Sequence, residues 1–192
     1  MLGLRKNVVL DPGHGGQDPG AIGVNGLQEK KVNWDVANIV KEQLAGYDCV
    51  VHIMQPSCTN PNSTSSDELR LPVKYANNIK ADFYLSVHEN AGGGTGFESH
   101  VYTHPSELAL KYQDAIHNEV AAYMAKFGFR DRGKRRSNFY VLRETNMPAV
   151  LLENLFIDSA ANAAALQNPE FLHGLGNAIA YGIVLALGLK KI

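Results

Sequence analysis

The chain has 192 residues, 18 Lys+Arg against 19 Asp+Glu, and a formal net charge of −1. That length suits one domain burying roughly 70% of its unfolded surface, and the near-neutral balance gives no electrostatic reason to expect nucleic acid or an anionic membrane as partner. The two cysteines, Cys49 and Cys58, form no C-x-x-C pair and are expected to be free thiols.

In chain order, Val8–Leu10 is a short apolar run that enters DPGHGGQDPG at Asp11, which suits a buried strand ending in a stiff, glycine-lined loop around His14. No signal-peptide h-region precedes it. Val32, Val36, Ile39, Val40 and Leu44 then recur at helical spacing, with Glu29 in or just before the first turn. Cys49–Met54 is a strand candidate, followed by the polar loop QPSCTNPNSTSSD. A helix is expected over Glu68–Lys80, with Leu69, Val73, Ala76 and Ile79 inward and Pro72 tolerated near its start.

Phe83–Val87 is the next strand and ends at His88; a turn at Gly92–Gly94 leads to the strand candidate FESHVY. Ser106–Phe127 carries an amphipathic helical pattern that counts Leu108 and Phe127 among its apolar set and closes at Gly128. After it come the basic segment FRDRGKRRSN, read as a solvated loop, a strand candidate at Phe139–Leu142, an apolar run Ala149–Leu152 ending at Glu153, and a last helix over Pro169–Leu187. The apolar stretch Ala178–Leu189 is too short to span a bilayer, so no membrane span is expected. Strands alternating with long helices imply crossover connections: an α/β fold, a largely parallel twisted sheet flanked by helices on both faces.

In such sheets, functional groups gather beyond the carboxyl ends of strands. Three apolar runs lead there to a ligand-type side chain: His14, His88 and Glu153. Taken singly, each has a structural explanation. His14 can be a surface residue of a turn, Glu29 a favourable charge at a helix N-terminus, and His88 a core histidine bonded to backbone. Glu153 is harder to dismiss, because an ionised carboxylate finishing a buried strand costs several kcal/mol unless paired. Together, the two histidines and either glutamate make the ligand set of a catalytic zinc site. A phosphate cradle fails: neither GxGxxG nor GxxxxGK[ST] is present, and Asp11 and Asp18 would repel the ligand. The histidines at 52, 100, 104, 117 and 173 have no second ligand at a recognisable spacing and are given structural or surface roles.

LDPGHGGQDPGAIG followed by Glu29, SVHENA, GFESHVY and LRETNMPAVLLE resemble, in that order, motifs of the zinc-dependent N-acetylmuramoyl-L-alanine amidases of the type-3 amidase family. The resemblance covers nearly the whole chain. It implies one zinc per chain held by His14, Glu29 and His88, Glu153 as the catalytic glutamate, and hydrolysis of the amide between muramic acid and the first L-alanine of the peptidoglycan stem peptide. Asn90 and Arg143 are candidate substrate contacts, Asn90 being as readily a cap of its own turn. Two positions depart from the family's usual pattern: Glu89 replaces a small residue, and Leu155 replaces a glycine.

The resemblance further implies a single catalytic domain over 1–192 without wall-binding repeats, a monomer, acting on the bacterial cell wall as a phage endolysin, a bacterial autolysin or part of a longer protein. A zinc peptidase or deacetylase on another wall amide, and a silent wall-binding module, are the alternatives.

Overall fold

The computed structural model describes residues 5–55 and 62–192, so Cys58 lies outside the described residues. A six-stranded sheet runs in the order β2 (Cys49–Ile53), β1 (Lys6–Pro12), β3 (Phe83–Asn90), β6 (Ala149–Phe156), β4 (Phe97–Tyr102), β5 (Asp131–Ser137). The first four are mutually parallel, whereas β4 pairs with β6 in the antiparallel sense and with β5 in parallel.

The two-residue period of the strands sorts their side chains into two cores. Val8, Leu10, Leu85, Val87, Val150 and Leu152 face the larger one, under α1 (Glu29–Leu44), α3 (Glu107–Ala125) and α6 (Pro169–Leu187). Val9, Tyr84, Ala149 and Leu151 face the smaller one, under α2 (Ser65–Asn78) and the single turn α4 (Tyr140–Arg143). The expected α/β architecture with helices on both faces is therefore present. Helix α6 is long and apolar enough to cross a bilayer, but Phe171, Leu175, Ile179 and Ile183 are buried in the larger core, so its apolar character serves packing.

Several elements differ from expectation. The basic segment is strand β5, not a loop. It lies at the sheet edge with one hydrogen-bonded neighbour, so its stability comes from pairing with β4, and its charges suit an edge exposed to water. Phe139–Leu142 is not a strand: Phe139 is the extended cap of α4, whose turn sends Val141 and Leu142 into the smaller core. A four-residue apolar run carries too few periods to separate the two.

Helix α2 begins at Ser65, three residues before Glu68, because Thr64 and Asp67 form a reciprocal capping box. Its Leu69 is 43% exposed, not inward. Leu108 and Phe127 are likewise exposed, since α3 turns Gln113 and His117 inward to bond Ser99 of β4. A further short helix, α5 (Ala160–Leu166), was not expected, although its AANAAAL run is rich in the strongest helix former.

Strands β3 and β6 run past His88 and Glu153 instead of ending there. The β3–β6 register shifts between His88 and Asn90, and there the buried Glu89 carboxyl accepts from Leu155 N at 2.9 Å and Asn154 Nδ2 at 3.1 Å. Burial pushes the Glu89 carboxyl well above the usual range, the hydrogen bonds to Leu155 and Asn154 offsetting only part of it.

Candidate metal centre

His14 sits just beyond β1 on a loop that is held at many points. Gly13 N donates to Val87 O (3.0 Å), Asn33 Nδ2 to Gly13 O (2.9 Å), Lys30 Nζ to Gly16 O (2.8 Å), and Gln55 Nε2 to His14 O (3.0 Å). His14 itself has φ 66°, a left-handed conformation that costs a non-glycine residue on the order of 1–3 kcal/mol and persists only when its surroundings enforce it. Gly13 has no substitute: a Cβ there would overlap the His88 imidazole. At Gly20, also in the left-handed region, a Cβ would press on Glu29 and His14.

Three side chains converge over this loop. Glu29, in the first turn of α1, lies 3.2 Å from His14 Nε2 through Oε2 and 3.0 Å from His88 Nδ1 through Oε1. Backbone groups fix the carboxylate further: Ala21 N donates to Oε2 (2.9 Å) and Glu89 N to Oε1 (3.0 Å). One nitrogen or oxygen donor from each of His14, Glu29 and His88 lies within 4.8 Å of the others. Donors about 2.0–2.1 Å from one tetrahedral zinc stand roughly 3.3 Å apart, and two imidazoles with a carboxylate are a zinc-type set. The residues fit the metal.

Electrostatics bind the three together. Burial opposes charge on Glu29, but hydrogen bonds and charges from His14 and His88 outweigh it and hold the carboxyl well below its usual range. Burial also opposes charge on the His14 ring, yet Glu29 and Asp18 raise it to about 9. Asp18 Oδ2 lies 3.2 Å from His14 Nδ1, so it orients the ring from behind while Gly20 N donates to its other oxygen (3.0 Å). Beneath them, Asp11 Oδ2 accepts from Tyr84 Oη (2.6 Å) and Ser86 Oγ (2.8 Å). Asp18 and Asp11 looked in the sequence only like obstacles to phosphate.

Glu153 stands beside His88 in the β3–β6 register and opposite Glu98 of β4. Burial is the main cause of a pKa raised to about 7, opposed by the charge of His88 and reinforced by Glu29 and Glu98. Its Oε2 is buried and has no hydrogen-bond partner among the described residues. A carboxyl raised to about 7 can take up or release a proton near neutral pH.

The cleft beside this cluster, about 240 Å³, is walled by His14, Asp18, His88, Leu69 of α2 and Val141 of α4. Leu69 was therefore misassigned to the core for a positive reason: it lines the cleft. Asn90 is adjacent but committed, its Nδ2 donating to Glu98 Oε1 (3.1 Å) and its Oδ1 accepting from Ala91 N (2.9 Å). Arg143 is not brought to the cluster; its guanidinium pairs with Glu144 and Asn138, beside a separate cavity with Tyr102 and Pro148. His100 and His117 are structural, bonded to Ser137 and Ser99.

With this geometry established, comparison with known proteins is specific. The profile of the family described as N-acetylmuramoyl-L-alanine amidase matches residues 8–184. The sporulation-specific N-acetylmuramoyl-L-alanine amidase of Bacillus subtilis (strain 168) is 41% identical over 184 residues, spanning 96% of this chain and 69% of that protein. The endolysin of Bacillus phage SPP1 is 39% identical over 192 residues, spanning 98% and 68%. Among solved structures, the catalytic domain of the amidase CwlV from Bacillus (Paenibacillus) polymyxa var. colistinus superposes with a TM-score of 0.84 at 34% identity, covering 96% of this chain and 99% of that one.

Proposed function

The chain belongs to the N-acetylmuramoyl-L-alanine amidase family, and from that premise we propose that it is a zinc-dependent hydrolase that cuts the amide between muramic acid and L-alanine of peptidoglycan. His14, Glu29 and His88 would hold one zinc ion. When bound, zinc polarises a carbonyl oxygen and lowers the pKa of water from about 15.7 towards about 7.

The observation that carries the reading is Glu153 next to this donor set, its buried Oε2 without a hydrogen-bond partner among the described residues. Glu153 takes a proton from the attacking water and returns it to the departing alanine nitrogen, and burial keeps its affinity for that proton near neutrality. The Glu89 carboxyl takes Leu155 N and Asn154 Nδ2 where the β3–β6 register shifts, and so anchors the stretch of β6 that follows Glu153. Asp18 holds the His14 ring, and Glu29 is held by two backbone amides, so neither ligand has to be ordered when the metal enters. The apolar wall of Leu69 and Val141 excludes water from one side of the cleft. Asn90 and Arg143 are secondary candidates for contact with the substrate.

Incubation with zinc and purified peptidoglycan tests this directly. The expected result is new N-terminal alanine without new reducing sugar. New amino termini other than alanine would identify a peptidase, acetate release a deacetylase, and binding without any product a silent module; each would overturn the reading.

A further inference from the structure

The single tryptophan of the chain, Trp34, belongs to neither core cluster. It is half-buried and lines a groove of about 630 Å³ between the first turns of α1 and the α5–α6 region, within the size range of small-molecule sites. Around it, apolar side chains such as Leu27, Ile39, Leu166 and Leu172 alternate with the polar groups of Lys31, Asp35, Asn38, Gln167 and His173. Asn38 Nδ2 donates to Trp34 O (2.8 Å), which keeps the amide at the groove with Oδ1 as an acceptor. The Nδ1 of His173 pairs with Asn177 Nδ2 (3.2 Å), so the ring proton is assigned to Nε2, a donor.

This groove lies on α1, the helix whose first turn carries Glu29, and is a cavity separate from the cleft at His14 and His88. A second concavity, lined by Gly15, Gly16, Lys30, Lys31 and Trp34, shares Lys31 and Trp34 with it and begins at the residue after His14. Along α1, Trp34 is five residues from Glu29, about 7.5 Å of rise. The tie from Lys30 Nζ to Gly16 O keeps this path rigid.

We propose that the Trp34 groove is a subsite for the glycan strand of the substrate, taking a neutral N-acetylated sugar one or more units from the muramoyl residue whose amide is cut. The proposal rests on the amidase reading above, which makes the substrate a polymer that must continue beyond the cleft. A pyranose ring has an apolar C–H face that packs on an indole face, and a rim of hydroxyl and acetamido groups that needs both donors and acceptors nearby. Trp34 supplies the first; Asp35, Asn38, Gln167 and His173 supply the second. One lysine and one aspartate leave the groove without a dominant charge, which suits a neutral ligand better than an acidic peptide.

Because Trp34 is the only tryptophan, its fluorescence reports the groove alone. Peptide-free oligomers of alternating N-acetylglucosamine and N-acetylmuramic acid should change that fluorescence saturably, and free stem peptide should not. Trp34→Ala should raise KM on polymeric peptidoglycan about tenfold, with the loss in KM and not in kcat, and should raise it several-fold less on a single N-acetylmuramoyl peptide. Trp34→Leu repeats the comparison if the alanine variant does not fold, and the titration of the unsubstituted protein needs neither. A response to stem peptide alone, or equal KM changes on both substrates, would overturn the subsite. A protein that cleaves neither substrate would overturn the amidase reading, whereas one that cleaves both while the oligomers leave its fluorescence unchanged would overturn the subsite alone.

Discussion

Glu98 and Glu153 face each other across β4 and β6, on the same side of the sheet, and their surroundings differ in one respect. Edge strand β5 brings cations to Glu98: Arg132 Nε at 2.8 Å and Arg135 Nε at 3.8 Å, with His100 and Asn90 adding further contacts. Burial opposes its charge, but Arg132 outweighs burial and holds the carboxyl below its usual range. Glu153 lies one strand further from that supply, next to an imidazole already engaged by Glu29, and its carboxyl is raised to about 7. A buried carboxylate given an arginine becomes structure; the same group left with an unpartnered oxygen is available for chemistry.

The contrast can be broken at several points. Removing the metal should have the largest effect: a strong chelator, or His88→Ala, should abolish hydrolysis and metal content by elemental analysis. Circular dichroism should show a protein still folded, because the core is independent of the site. Next, Glu153→Gln should retain zinc and melting temperature while turnover falls toward the upper end of about 10²–10⁴-fold, the range for general acid–base catalysis. Near-normal turnover in a stable, zinc-loaded variant would remove Glu153 from the mechanism.

The pH dependence of metal binding has a definite sign. The metal-free His14 ring, raised to about 9 by Glu29 and Asp18 against its burial, holds a proton at neutrality that must leave before the ring can coordinate. Apparent zinc affinity should therefore rise with pH, about tenfold per unit for one proton, and this contribution should level off above about 9. In the metal-free protein the same pairing adds stability that is complete below about 6.5 and is lost as pH rises through about 9. Competition with a chelator of known proton affinity measures the first, and thermal melts across that range the second.

Glu98→Gln should do the reverse of Glu153→Gln. It deprives Arg132 and Arg135 of their charge partner in a partly exposed setting, costing about 1 kcal/mol, or about 2–4 °C in Tm for a domain of this size. Turnover should change much less than in Glu153→Gln; an equal loss would place Glu98 in the chemistry. Smallest of all, Arg143→Ala removes an exposed pair worth at most about 0.5 kcal/mol, and KM should move by less than about twofold. A larger rise in KM would return Arg143 to the substrate.

What the sequence determined by itself rests on strong, repeated signals. Short apolar runs and helical spacing were enough for β1, β3, β6, α1, α3 and α6, and so for an α/β sheet covered on both faces. His14, His88 and Glu153 stood out because each follows or closes an apolar run, whereas Glu29 was singled out as a ligand only through the family resemblance. Tertiary structure decided what depends on a neighbour distant in the chain. Strand β5 carries no apolar alternation and exists because β4 offers it a ladder. Leu69 has the period of a core residue, yet it lines the cleft, because helical spacing does not say whether an apolar side chain meets a core or a cavity. Glu89 looked only like a change of charge beside the metal site, and its carboxyl takes a backbone amide of β6. Residue type and spacing encode local conformation and which face is apolar. Whether a carboxylate is paired or left open, as between Glu98 and Glu153, depends on which strand packs beside it, and the chain's own period does not carry that information.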